Sequence, residues 1–191
     1  MNGEWCVFNQ KFSKDYCEYI IAEANKIPKE TAKIGINNQL VTTEHRKSQI
    51  AFINRNMPGW EGLFDEIWKM ACQANDQWFN FHISKFDFIQ FAEYHSSVKG
   101  EYKKHHDIFY MNNDAKYHRK LSMIIQLTDP NDYEGGDLEL YNLSAGDPNK
   151  EMFRNQGSVI LFPSFTEHAA LPVTKGIRNS MAVWFDGPKW R

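Results

Sequence analysis

Ile83-Ser84-Lys85-Phe86-Asp87-Phe88-Ile89-Gln90-Phe91-Ala92-Glu93-Tyr94 is where the chain changes its local pattern. The segment is dense in Phe and Ile, residues that fit a pleated, half-buried surface. Runs of similar character follow at Glu101–Tyr110, Leu121–Thr128, Asp137–Tyr141, Gly157–Pro163 and Asn179–Phe185. Turn-forming stretches separate them: Asp129-Pro130-Asn131-Asp132, Glu134-Gly135-Gly136, Ser144-Ala145-Gly146-Asp147-Pro148 and Lys175-Gly176. Many short strands joined by polar turns predict a sandwich or barrel.

Upstream the period is helical. Ser13 can cap a helix with Tyr16, Cys17, Ile20, Ile21 and Ala24 on one face, and Pro28 limits its extent. A second helix after Pro58-Gly59 carries Trp60, Leu63, Phe64, Ile67, Ala71, Ala74 and Trp78. Such a stripe is read as a helix packed on a sheet. The expected class is therefore mainly β with α, the N-terminal helices lying against one sheet. No repeat, low-complexity tract or linker interrupts the 191 residues, which are read as one domain. Within it, residues 1–80 give helical support and residues 81–191 the core.

The bulk properties exclude several classes. Twenty-two basic residues against 24 acidic ones argue against a dedicated nucleic-acid binder. There is no basic N-terminal run followed by an apolar core, and no apolar stretch long enough for a membrane span. Cys6, Cys17 and Cys72 are odd in number and widely spaced, which suits free thiols in a reducing compartment. A cytoplasmic protein bound to neither membrane nor nucleic acid is the expectation.

Chemistry enters at His105-His106-Asp107. Strand side chains alternate faces, so His105 and Asp107 share one while His106 takes the other. They stand about 7 Å apart along the strand, close enough to chelate one ion after modest convergence. His168, just after the strand Gly157–Pro163, offers a second imidazole. Two His and one carboxylate leave coordination positions open, a set suited to Fe(II) and oxygen chemistry.

Ten residues after His168 comes Arg178. Gly176 suits a tight turn, from which Arg178 opens a strand running through Ser180, Ala182 and Trp184 on one face. A guanidinium inside a barrel is costly unless paired, and its fork matches a carboxylate. A dicarboxylate co-substrate would supply one; an internal acid is the competing partner.

These residues together resemble the 2-oxoglutarate/Fe(II) dioxygenase superfamily, in its prolyl 4-hydroxylase-like branch. The resemblance rests on Tyr102-Lys103-Lys104-His105-His106-Asp107, on Tyr133-Glu134-Gly135-Gly136-Asp137-Leu138, and on Gly157–Pro163 running on to His168. It also rests on Val173, Gly176, Arg178 and Ser180 as V-x-x-G-x-R-x-S, with a weaker echo of an R-x-S stretch in Arg46-Lys47-Ser48. It implies a double-stranded β-helix, or jelly roll. It implies Fe(II) held by His105, Asp107 and His168, 2-oxoglutarate and O2 as co-substrates, and allows for ascorbate. Arg178 would pair with the distal carboxylate of 2-oxoglutarate, supported by Tyr94 and Ser180, and Trp184 would wall the pocket. The implied reaction is hydroxylation with release of succinate and CO2.

A peptide or protein substrate follows from the same resemblance, with peptidyl proline leading. Another peptide side chain, a free amino acid or a small metabolite are the alternatives, since Arg178 and Asp137-Leu138-Glu139-Leu140 depart from the collagen-type pattern. Ile36–Lys47 and Asn112–Lys120 are long, polar and suited to lids, and Arg46 and Tyr110 are candidate substrate contacts. A hydrolytic zinc enzyme and a non-catalytic jelly-roll binding module are the competing classes.

Overall fold

The computed structural model describes residues 3–36, 39–41, 44–108, 116–144 and 150–190. Its strands are β1 (Cys6–Phe8), β2 (Glu30–Thr31), β3 (Ile34–Ile36), β4 (Gln39–Val41), β5 (Arg46–Lys47), β6 (Gln49–Asn54) and β7 (Phe88–His95). They continue as β8 (Glu101–His105), β9 (Tyr117–Gln126), β10 (Tyr133–Gly135), β11 (Leu138–Leu140), β12 (Val159–Pro163), β13 (His168–Ala170) and β14 (Val173–Pro188). The helices are α1 (Lys14–Ala24), α2 (Glu61–Ala74) and a short α3 (Lys150–Arg154).

Two antiparallel sheets face one another as an open jelly roll. The larger runs β1-β12-β9-β14-β7-β6-β2, with β10 joined to β14; the smaller runs β11-β13-β8-β5. Helix α1 starts where expected, the Ser13 hydroxyl accepting from the Tyr16 N–H at 3.3 Å. It buries Cys17, Ile20 and Ala24, and α2 buries Leu63, Phe64, Ile67, Met70, Ala71 and Ala74. Both rest on the outer face of the larger sheet, against Phe91, Met123, Ile125, Met181, Val183 and Phe185. The alternate residues of those strands point at the smaller sheet.

Several expectations change on contact with the fold. The first 80 residues also supply strands, β1, β2 and β6 to the larger sheet and β5 to the smaller. Regular pairing in the first long run begins at Phe88, because the segment before it crosses β14 through backbone bonds to Asp186. The run from Glu101 stops at His105: the next anchor is the Asp107 N–H, which donates to Ser164 outside any ladder. The run from Asp137 begins one residue later, its carboxylate being held by Arg154 of α3. Trp60 precedes α2 as its N-cap, and Trp78 lies in a π turn, Asn75–Phe79, that follows the helix.

Gly176 is not in a turn between strands. It sits within β14, opposite Tyr133, at φ +71°. A Cβ there would come within 2.1 Å of the Asp132 carbonyl oxygen, so only glycine lets β10 approach.

Candidate metal and co-substrate site

His168 opens a strand of its own, and β13 pairs antiparallel with β8 so that His168 lies directly opposite His105. Register alone therefore brings the two imidazoles together. Asp107, two residues beyond the end of β8, arrives by a different route. Its N–H donates to the Ser164 carbonyl at 2.8 Å, and the Ser122 hydroxyl donates to its Oδ2 at 2.7 Å. Ser164 Oγ lies 3.0 Å from Ser122 Oγ, tying the carboxylate to the middle of β9 and to the residue after β12.

The three donor groups converge. His105 Nε2 is 3.8 Å from Asp107 Oδ1, and His168 Nε2 is 3.5 Å from Asp107 Oδ2. One ligand atom from each residue lies within 4.8 Å of the others. Each ring's Nδ1 donates to a backbone carbonyl, His105 to Lys103 at 2.8 Å and His168 to Thr166 at 3.0 Å. That fixes the tautomer and leaves both Nε2 lone pairs facing the carboxylate. Rings hold them in place: Tyr102 stacks on His105 at 3.5 Å between centroids, and Phe162 packs on His168 at 4.7 Å.

The electrostatics agree with this geometry. Burial, reinforced by His168, pushes His105 down to about 3, so its imidazole is neutral. Burial would raise Asp107, but His168, His105, Arg119 and the Ser122 hydroxyl outweigh it and hold the carboxyl below its usual range. A neutral His105 imidazole beside a carboxyl held low supplies two of the deprotonated donors that a divalent cation requires. Two nitrogens and one oxygen with open positions fit Fe(II).

Arg178 projects from β14 into the same cavity and is 2% exposed. It lies opposite Tyr94 on β7, and Ser180 lies opposite Gln126 on β9. Its Nη2 donates to Gln126 Oε1 at 2.8 Å, and its guanidinium lies 5.3 Å from the Tyr94 ring centre. The Nε–H is buried without a partner, and no acid pairs with Arg178 among the described residues. A buried cation with an unused donor is expensive, and an incoming carboxylate would satisfy it. Gly136 explains the glycine pair, since a Cβ at its φ of +66° would meet the Arg178 stem at 3.0 Å.

Tyr94, Ser180, Trp184 and Arg46 line this cavity with the triad. Tyr110 lies outside the described residues, as do 37–38, 42–43 and 112–115 of the two expected lids; Arg46–Lys47 instead forms β5, and Tyr117–Lys120 opens β9. Sequence reasoning missed Gln90, Ser122 and Gln126. Their signal was alternation: in β9, Ser122 and Gln126 interleave with Leu121, Met123 and Ile125.

A family model described as the 2OG-Fe(II) oxygenase superfamily matches residues 89–186, just over half of the chain. The chain belongs to this superfamily. Among its relatives, a PKHD-type hydroxylase of Synechococcus sp. is 36% identical over 88 residues, 46% of this chain and 37% of that one. Another, of Colwellia psychrerythraea, is 36% identical over 91 residues, 48% of this chain and 40% of that one. The match thus spans about two fifths of the length of these curated relatives.

The fold recurs in solved prolyl hydroxylase structures. A Pseudomonas putida prolyl-4-hydroxylase has a TM-score of 0.71 at 20% identity, covering 100% of this chain and 95% of that one. A Trichoplax adhaerens prolyl hydroxylase, in complex with a hypoxia inducible factor oxygen degradation domain peptide fragment, has a TM-score of 0.73 at 17% identity, covering 96% and 83%. Among the described residues, no helix is long and apolar enough to cross a membrane.

Proposed function

We propose that the chain is an Fe(II)- and 2-oxoglutarate-dependent hydroxylase of a peptidyl side chain, with proline as the leading target. One observation carries the reading: a triad with two tautomer-fixed imidazoles shares a cavity with a buried Arg178 whose Nε–H has no partner. His105, Asp107 and His168 hold the iron. Arg178 receives the distal carboxylate of 2-oxoglutarate, with the Tyr94 and Ser180 hydroxyls beside it. The PKHD-type and prolyl hydroxylase names of the relatives, and the peptide in the Trichoplax complex, support a peptide substrate.

When bound, iron and the keto acid supply the oxidising chemistry: substrate C–H, O2 and 2-oxoglutarate give substrate C–OH, succinate and CO2. The protein positions and shields. Ser122 and Ser164 fix Asp107, the Lys103 and Thr166 carbonyls aim the imidazoles, and Gln126 braces the guanidinium. Trp184 and Ile124 wall the cavity against water. A hydrolytic zinc site would need a general base by the metal, and Asp107 is the one carboxylate among the described lining residues.

The test is succinate formation from 2-oxoglutarate with added Fe(II), with mass spectrometry of proline-containing peptides. Wild type turns over, while His105→Ala and Arg178→Ala do not. Failure of wild type across a broad peptide panel, coupled or uncoupled, sinks the reading. Oxygen added only to a residue other than proline would remove the prolyl assignment.

A further inference from the structure

The charges around the triad do not close on the groups named so far. Two guanidiniums line the cavity, Arg178 and Arg46, against one carboxylate, Asp107. Arg46 is 8% exposed, and its partners are neutral: Nε donates to Ser48 Oγ at 3.0 Å and Nη2 to Gln90 Oε1 at 2.6 Å. Its guanidinium lies 4.5 Å from the centre of the Tyr102 ring, and that ring stacks on His105. Arg46 is therefore separated from a metal ligand by one aromatic ring. No acid pairs with it among the described residues.

The nearby acids are committed elsewhere. A groove of about 780 Å³ outside β5 and β7 also touches Arg46, and Glu93 and Glu44 line it. Glu93 is held by Lys29 at 3.2 Å and His95 at 3.4 Å, and Glu44 by Lys47 at 2.8 Å. A dicarboxylate co-substrate offsets a divalent metal, and its distal end answers Arg178. Among the residues lining the cavity, Asp107 then remains against two guanidinium charges, while Arg119 and Asp186, outside that lining, offset one another. One positive charge is left over, fixed by Ser48 and Gln90 and stacked on Tyr102. Such a pre-organised fork is built for an anion and is costly to bury without one.

We propose that Arg46 receives a carboxylate of the substrate, so that the residue to be hydroxylated carries or adjoins an acidic group. This rests on the hydroxylase reading above and narrows its substrate class. The carboxylate has two sources, an Asp or Glu side chain beside the target residue or the free α-carboxylate of a C-terminal residue.

The experiment measures equilibrium binding of fluorescent peptides to protein loaded with Mn(II) and 2-oxoglutarate, with succinate release under Fe(II) followed in parallel. Three matched pairs serve as probes: internal Pro-Glu against Pro-Gln, internal Pro-Asp against Pro-Asn, and C-terminal proline as free acid against amide. One carboxylate member binds about tenfold to a hundredfold more tightly than its amide, the range for a charge-assisted hydrogen bond. The pair showing the difference names the source. In Arg46→Gln the difference collapses toward unity, and in Arg46→Lys it is partly kept. Equal binding within every pair, binding of none, or full discrimination in a folded Arg46→Gln overturns the proposal. The wild-type pairs decide even where a variant misfolds. Succinate release without discrimination rejects Arg46 alone, while discrimination without succinate rejects the hydroxylase reading and leaves the carboxylate receptor standing.

Discussion

On its helix side the larger sheet presents Phe91, Met123, Ile125, Met181, Val183 and Phe185, each fully buried. On its cavity side the same strands present Gln90, Ser122, Gln126, Arg178 and Ser180, buried almost as deeply. One face removes apolar area from water at roughly 25 cal/mol per Å², while the other removes polar groups from water and gains little unless they are satisfied. Strand alternation lets a single set of hydrogen bonds carry both. The difference teaches where the free energy lies: the helix side holds the sheet together, and the cavity side spends part of that stability to keep donors dry and fixed.

Substitutions on the two faces should therefore fail in different ways. Asp107→Ala removes one donor of the proposed metal site outright. Metal affinity and turnover should fall by more than the roughly 10–100-fold typical of residues behind a metal ligand, with the fold intact by circular dichroism. Across the sheet, Phe185→Ala opens a cavity under α2 and should cost about 3–5 kcal/mol in a denaturant titration, with turnover falling only as folded protein is lost. Arg178→Met sharpens the contrast. It should weaken 2-oxoglutarate binding at least tenfold, while the protein without co-substrate is as stable as wild type or more so, because an apolar isostere replaces a poorly paired buried charge. Loss of stability in that variant would mean Arg178 is structural.

Two smaller effects complete the comparison. Ser122→Ala frees one side of Asp107 and should reduce metal affinity by about tenfold, with little change in melting temperature. Cys6 and Cys17 belong to the helix side, where burial pushes their thiols up to about 12 and about 11. At pH 8 an alkylating reagent should label the partly exposed Cys72 first and leave the other two until the protein unfolds. Early labelling of Cys17 would show that α1 opens readily.

Much of this was legible because it is periodic. The β-rich second half, both main helices and the Ser13 cap follow from local pattern, while the triad and Arg178 were singled out by spacing together with the family resemblance. Pairing was not legible. The strand-alternation argument put His105 and Asp107 on one face of one strand, yet β8 ends at His105 and Asp107 is positioned by Ser122 and Ser164, 15 and 57 residues later in the chain. The strand that presents His168 opposite His105 is three residues long, too short to leave a period. Likewise β1, β2 and β5 are of two or three residues and depend on long-range partners. Gln126 and Gln90 were readable in principle as polar residues inside apolar strands, but their roles depend on Arg178 and Arg46 arriving across the sheet.

The central claim is that the cavity side binds a metal and a dicarboxylate as one unit. Anaerobic calorimetric titration of 2-oxoglutarate into wild type and Arg178→Met, each with and without Fe(II), tests it most directly. The account predicts tight binding only to metal-loaded wild type, with at least a tenfold loss in the metal-loaded variant. Undiminished binding by Arg178→Met, or equally tight binding to metal-free wild type, would contradict it.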